Sequence, residues 1–148
     1  MEQPLGVGPV ERSVGYVLKQ AAVALRAAMD EALRPLELTV PQYSCLEVLG
    51  QRPGISNAEL ARATFVTRQS MNTVLQTLET RGLVTRPATA PRGRELPASL
   101  TPAGLALLRP ASTAARAVEQ RMCAGLDPAA QAALLNALTS CVRSLADG

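Results

Sequence analysis

The 46 residues of the segment 56–101, SNAELARATFVTRQSMNTVLQTLETRGLVTRPATAPRGRELPASLT, limit the possible folds more than any other stretch. Ser56-Asn57-Ala58-Glu59 spells a capping box, in which the serine oxygen accepts from an early helix N–H and the glutamate reaches back to the serine amide. The helix that starts there is short, with Leu60 and Ala61 facing inward. Thr64-Phe65-Val66 then interrupts the pattern, because three poor helix formers in a row weaken propagation, and a tight turn is expected. Thr67 is a suitable N-cap for a second helix, whose Met71, Val74, Leu75 and Leu78 follow the i, i+3, i+4, i+7 rule and define its inner face. The opposite face carries Arg68, Gln69, Ser70, Asn72, Thr73 and Gln76, all hydrogen-bonding side chains and none of them acidic.

Such a face suits the edges of bases. Asn and Gln can pair two-pronged with adenine, Arg with guanine, and a threonine methyl can touch thymine. Two helices a turn apart, the second polar outside, match helix-turn-helix docking; taken alone, they also fit an ordinary core fragment with a solvated, amide-rich side. The residues that follow favour the first reading. Gly82 stands where a helix C-cap glycine belongs, and Leu83-Val84-Thr85-Arg86 has strand composition. Leu96, Ala98 and Leu100 alternate with polar or proline positions, so a second short strand returns, with Pro97 confining it to an edge. Between them Pro91-Arg92-Gly93-Arg94 sets two guanidiniums on a turn, as a wing needs to enter a minor groove or clamp phosphates. The expected fold is mainly α with a small β-hairpin wing: a winged helix-turn-helix core over residues 37–101. Ser56, Thr67, Arg68, Gln69, Ser70, Asn72, Thr73, Gln76, Arg86, Arg92 and Arg94 are its candidate DNA-binding residues.

The segments LELTVPQYSCLEVL (36–49), PGISNAELARA (53–63), LETRGLVTR (78–86) and SLTPAG (99–104) resemble the MarR (multiple antibiotic resistance regulator) family of bacterial winged-helix regulators. The resemblance is collinear from about Val14 to the C-terminus. It implies a homodimeric transcriptional regulator, most often a repressor, that binds a pseudo-palindromic duplex and is released by a small aromatic or phenolic effector where the dimer helices meet the winged helix. Tyr16, Met29, Tyr43, Cys45 and Arg116 are the candidate effector residues. The family's wing usually carries an Asp-x-Arg pattern; here Arg94 maps onto the arginine, but Arg92 stands where the aspartate would be. Without that acid, the wing is expected either to be more mobile or to rely on phosphate contact for order.

The rest of the chain is helical. Residues 1–10 hold two prolines and two glycines and read as a flexible arm. Residues 11–36 read as one long helix with Val14, Leu18, Ala21, Leu25, Ala28 and Ala32 in a stripe, flanked by Val17, Met29 and Leu33. Its length of about 37 Å, at the usual rise per residue, exceeds what a winged helix can cover. Thr39 or Val40 before Pro41 starts a further helix bearing Tyr43, Leu46 and Leu49 on one side. Thr101-Pro102 repeats the start signal for a helix with Leu105, Leu108, Ala115, Val118 and Met122 inward and a kink at Pro110. Pro128 opens a last helix that buries Leu134, Leu135, Leu138, Val142 and Leu145. Both ends thus carry apolar helices in excess, and residues 11–36 with 102–146 are expected to form a helical dimerisation region; the alternative is a monomer whose end helices cover each other.

Composition agrees. Apolar residues make up 47% but aromatics only 2%, which favours helices packed through small side chains. The net charge is +3, and residues 52–96 carry seven basic against three acidic side chains, a local surplus that fits a polyanion. The chain has no histidine, so it lacks an ordinary Ser-His or Cys-His nucleophile pair, and Gly6-Val7-Gly8 lacks the rest of a phosphate-cradling loop. No enzyme, cofactor or metal is expected. Cys45, Cys123 and Cys141 have no zinc-ligand spacing. No apolar run reaches a bilayer-spanning length and the N-terminus does not read as a leader, so a cytoplasmic protein with reduced thiols is expected, without a membrane partner.

The expected function is a sequence-specific, ligand-responsive DNA-binding repressor acting as a homodimer. Two alternatives stand: a winged-helix protein-interaction module without DNA binding, and a regulator that senses thiol oxidation through Cys45.

Overall fold

A computed structural model describes residues 6, 8–87 and 97–146. Six helices carry the architecture: α1 (Val14–Leu33), α2 (Val40–Gln51), α3 (Asn57–Ala63), α4 (Arg68–Thr80), α5 (Pro102–Met122) and α6 (Pro128–Ala146). Between α4 and α5 a two-stranded antiparallel sheet joins β1 (Val84–Thr85) to β2 (Ser99–Leu100), with Val84 opposite Leu100 and Thr85 opposite Ser99. This is the winged helix expected from the sequence. The proposed wing tip, with Arg92 and Arg94, and Leu96 of the expected second strand lie outside the described residues.

The helix starts lie where the hydroxyl side chains put them. Thr39 forms a full capping box with Gln42, and Ser56 accepts from the Glu59 amide at 3.1 Å, which is the serine half of the expected box. Thr67 accepts from the Ser70 amide and Thr101 from the Gly104 amide, each at 3.0 Å. The long helix expected over 11–36 is shorter than foreseen. It is α1 flanked by 3₁₀ turns at Val10–Arg12 and Arg34–Leu36, because Pro35 has no N–H to continue the ladder and Glu37 then turns left-handed at φ 57°. α5 runs unbroken through Pro110. The carbonyl that Pro110 cannot serve, that of Ala106, belongs to an exposed residue, so water can reach it.

One core binds the centre. Leu46 and Leu49 of α2, Leu60 of α3, Met71, Leu75 and Leu78 of α4, Leu83, Val84 and Ala98 at the sheet, and Leu108 and Ala111 of α5 form one buried cluster, which also takes in Leu33 at the end of α1. Met71, Leu75 and Leu78 are no more than 1% exposed, and burying each contributes roughly 1.5–3 kcal/mol. The sheet's root is fastened to α5. The Thr101 amide donates to the Leu83 carbonyl at 3.1 Å and its hydroxyl to the Gly82 carbonyl at 2.7 Å. Gly104 sits so close that a β-carbon there would overlap the Leu83 carbonyl.

Both α3 and α4 end in the same hydrogen-bonded motif. After α4, the Leu83 amide donates to the Leu78 carbonyl and the Gly82 amide to the Glu79 carbonyl, both at 2.9 Å, with Gly82 left-handed at φ 75°. After α3, Val66 donates to Ala61 at 3.1 Å and Phe65 to Arg62 at 3.3 Å, but the left-handed residue, at φ 62°, is phenylalanine. That conformation costs an ordinary residue about 1–2 kcal/mol.

The ends of the chain differ from the core. α1 packs along α5, yet Val14, Leu18 and Val23 are exposed, and only Leu33 of α1 is buried. α6 has no extensive packing partner among the described residues. The leucines and valine expected inward on it range from 37% exposed at Leu138 to 84% at Leu145. Leu105 and Met122 of α5, also expected inward, are about half exposed. These expected inward positions are therefore not buried within a single chain.

Candidate nucleic-acid interface

α4 is amphipathic in the sense read from its sequence. Met71, Leu75 and Leu78 point into the core, while Arg68, Gln69, Ser70, Asn72, Thr73 and Gln76 are all exposed. Several of these side chains are already engaged. The Thr67 hydroxyl caps the helix and donates to the Ser70 hydroxyl at 3.0 Å, which leaves Ser70 with a fixed oxygen next to the helix start. Thr73 returns its hydroxyl to the Gln69 carbonyl at 3.3 Å, so its methyl is what remains to meet a ligand. Ser56 sits exposed at the N-terminus of α3, with its oxygen given to the Glu59 amide.

Asn72 and Arg86 are coupled. One terminal nitrogen of the Arg86 guanidinium donates to Asn72 Oδ1 at 2.6 Å, and its Nε lies 3.9 Å from Glu79 Oε2. With its side chain only 19% exposed, Arg86 braces the root of the wing against α4. Two-pronged pairing of Asn72 with adenine therefore requires its oxygen to be shared with, or released by, that guanidinium. The sequence placed both residues at the interface but gave no sign of their contact, which joins positions fourteen apart. Arg81, at the C-cap of α4, was not singled out at all. Its guanidinium donates to the Glu37 carbonyl at 2.6 Å, tying the end of α4 to the left-handed joint between α1 and α2.

The candidate effector residues scatter more. Tyr43 on α2 donates its hydroxyl to Glu47 Oε1 at 2.9 Å, and Ser112 on α5 donates to the same oxygen at 2.8 Å. Burial, with the neighbouring Glu47 carboxylate, pushes the Tyr43 phenol up to about 12, and the Arg116 charge pulls the other way. Tyr43 and Arg116 are thus brought together across the α2–α5 seam. Glu47 and Ser112 were missed, although each lies i, i+4 from one of that pair, a spacing that puts residues on one helix face. Tyr16 is half-exposed near the start of α1, and Met29 is half-buried on the same helix. Cys45 is fully buried on another face of α2 from Tyr43, and burial pushes its thiol up to about 12. Beside the α1–α2 joint a shallow surface depression is lined by Asp30, Arg34, Glu37, Leu38 and Thr39.

Residues 36–95 match the family model described as MarR family. The HTH-type transcriptional repressor Rv2887 of Mycobacterium tuberculosis is 49% identical over 113 residues, which cover 76% of this chain and 81% of that protein. The chain belongs to the MarR family. Among solved structures of the family, the Mycobacterium tuberculosis Rv2887 complex with DNA superposes with a TM-score of 0.71 at 40% identity, covering 94% of this chain and 98% of that one. Its complex with salicylic acid gives 0.70 at 42% identity, covering 94% and 96%. The transcriptional repressor CouR, bound to a 23-mer DNA duplex, reaches 0.82 at 28% identity over 95% of this chain and 99% of that one. As a MarR-family chain, this protein is a DNA-binding transcriptional regulator. No helix among the described residues is long and apolar enough to cross a membrane.

Proposed function

We propose that the protein is a cytoplasmic, ligand-responsive repressor that binds a pseudo-palindromic duplex as a homodimer. The observation that carries this is the outer face of α4, where six exposed hydrogen-bonding side chains stand without an acidic residue from position 68 to 76. Gln69, Ser70, Asn72, Thr73 and Gln76 meet base edges or their neighbours. Arg68, Arg92 and Arg94 hold phosphates and the minor groove, with Ser56 and Thr67 at the two helix starts. Arg86 divides its charge between Asn72 and the DNA backbone.

Residues 11–36 and 102–146 form the dimerisation region, with residues 1–10 as an arm and 37–101 as the DNA-binding domain. The uncovered faces of α1 and α6 support this, as does a groove of about 360 Å³ between α5 and α6 lined by Met122, Cys123, Leu134, Leu135 and Leu138. A two-fold axis through these helices sets two copies of α4 at the ~34 Å spacing of successive major-groove faces. The effector is a small aromatic or phenolic molecule, in line with the salicylic acid bound by Rv2887. Tyr43, Glu47, Ser112 and Arg116 offer the polar groups to orient it. Burial of Cys45 supports a ligand rather than an oxidant as trigger, since thiolate formation is suppressed there.

Salt-dependent binding to specific and random duplexes tests the division of labour. Arg94→Ala is expected to weaken binding to all sequences and to reduce the salt slope by about one counterion. Asn72→Ala is expected to change sequence preference, at a cost of roughly 1–3 kcal/mol on the preferred duplex only. Equal losses on specific and random DNA from both variants would refute it.

A further inference from the structure

Phe65 is the only phenylalanine in the chain, and it is 94% exposed. It stands in the turn between α3 and α4, left-handed at φ 62°, in the same terminal motif that Gly82 completes after α4. Glycine meets that geometry without strain, as Gly82 does. A phenylalanine there burdens the backbone and, being exposed, contributes almost nothing to packing. A side chain that strains the fold without filling it has its use outside the chain.

The position indicates what it meets. Phe65 lies two residues before the Thr67 cap and three before the exposed Arg68, at the end of α4 that enters the major groove in helix-turn-helix docking. Among the features a base pair shows there, the thymine 5-methyl group is the one an aromatic ring recognises, by apolar contact. We propose that Phe65 is a specificity-determining residue that packs on a thymine methyl beside the bases read by Gln69 and Asn72. The proposal rests on the reading of α4 as the base-reading helix.

The test uses the full-length protein and a duplex that it selects from a random pool. Phe65→Gly is expected to melt at the same temperature as the parent or higher. Its binding to the selected duplex should be about tenfold weaker and its binding to random duplex within about twofold, the scale of one lost base contact. Replacing each thymine of the selected duplex in turn by deoxyuridine removes one methyl. One position per half-site is expected to cost the parent protein about fivefold and the Phe65→Gly variant nothing. If the variant binds every duplex as the parent does, the proposal fails and a protein partner becomes the occupant of the ring. If it melts lower and loses specific and random binding in parallel, Phe65 is structural and the proposal fails as well. A pool that yields no preferred duplex overturns the base-reading assignment of α4, and with it the role given to Phe65.

Discussion

Leu75 on α4 and Leu138 on α6 belong to apolar stripes of the same helical period, yet Leu75 is wholly buried whereas Leu138 is 37% exposed. The helix around Leu75 is closed by its own chain: α2, α3 and β1 pack on it, Thr67 caps its start and the left-handed Gly82 follows its end. The helix around Leu138 has no such neighbours among the described residues. Periodicity states only that a face must be covered. What covers it depends on how much chain stands nearby, and at the two ends of this molecule there is too little. In the proposed reading the centre meets DNA and the two ends meet a second copy of the chain.

Charging the ends while sparing the centre gives the largest expected effect. Leu135→Glu with Leu138→Glu should convert the dimer to a monomer in sedimentation and, by removing the second half-site, weaken operator binding by about 10²–10⁴-fold. Because both residues are exposed in the single chain, far-ultraviolet circular dichroism of the monomer should stay helical. A variant that remains dimeric would show that α6 is covered by something other than a second copy. In the centre, Leu75→Ala should act the opposite way, lowering unfolding stability by about 2–5 kcal/mol while leaving the protein dimeric. Denaturant titration with sedimentation at matched concentration separates the two outcomes.

The smallest effect concerns the seam between the two regions. The Tyr43 phenol is raised to about 12 in the fold from its ordinary 10.0, so its neutral form is favoured by folding. The stability this brings is fully present below pH 10 and is lost as pH rises from there through 12. Compared at pH 9 and at pH 12, the parent protein should lose more stability than Tyr43→Phe. Equal losses would mean that the hydroxyl meets the same surroundings folded and unfolded.

Much of this was legible in the sequence because it is local. Ser56, Thr67 and Thr101 announced helix starts, Gly82 a helix end, and the alternation at Ala98 and Leu100 a returning strand. The outer face of α4 followed from the spacing of Met71, Leu75 and Leu78. Contacts between distant positions were not legible: Ser112 meets Glu47 across 65 residues and Arg81 meets the Glu37 carbonyl across 44, and no short-range pattern encodes either. The left-handed Phe65 was hidden for another reason. The turn was foreseen, but the residue in it is one that propensity assigns to extended backbone. At its C-terminal end, the shortening of α1 came from Pro35 and Glu37 ending together what apolar spacing alone would have extended.

Gly104 has a mechanical consequence. With no room for a side chain between the start of α5 and the Leu83 carbonyl, and with Thr101 bonded to both Gly82 and Leu83, the base of the β-ribbon has no play against that helix. Any roll of α5 about its neighbours is therefore passed directly to Gly82 and Leu83 at the root of the ribbon. Helix and ribbon behave as a crank and its handle, and position 104 is the weld.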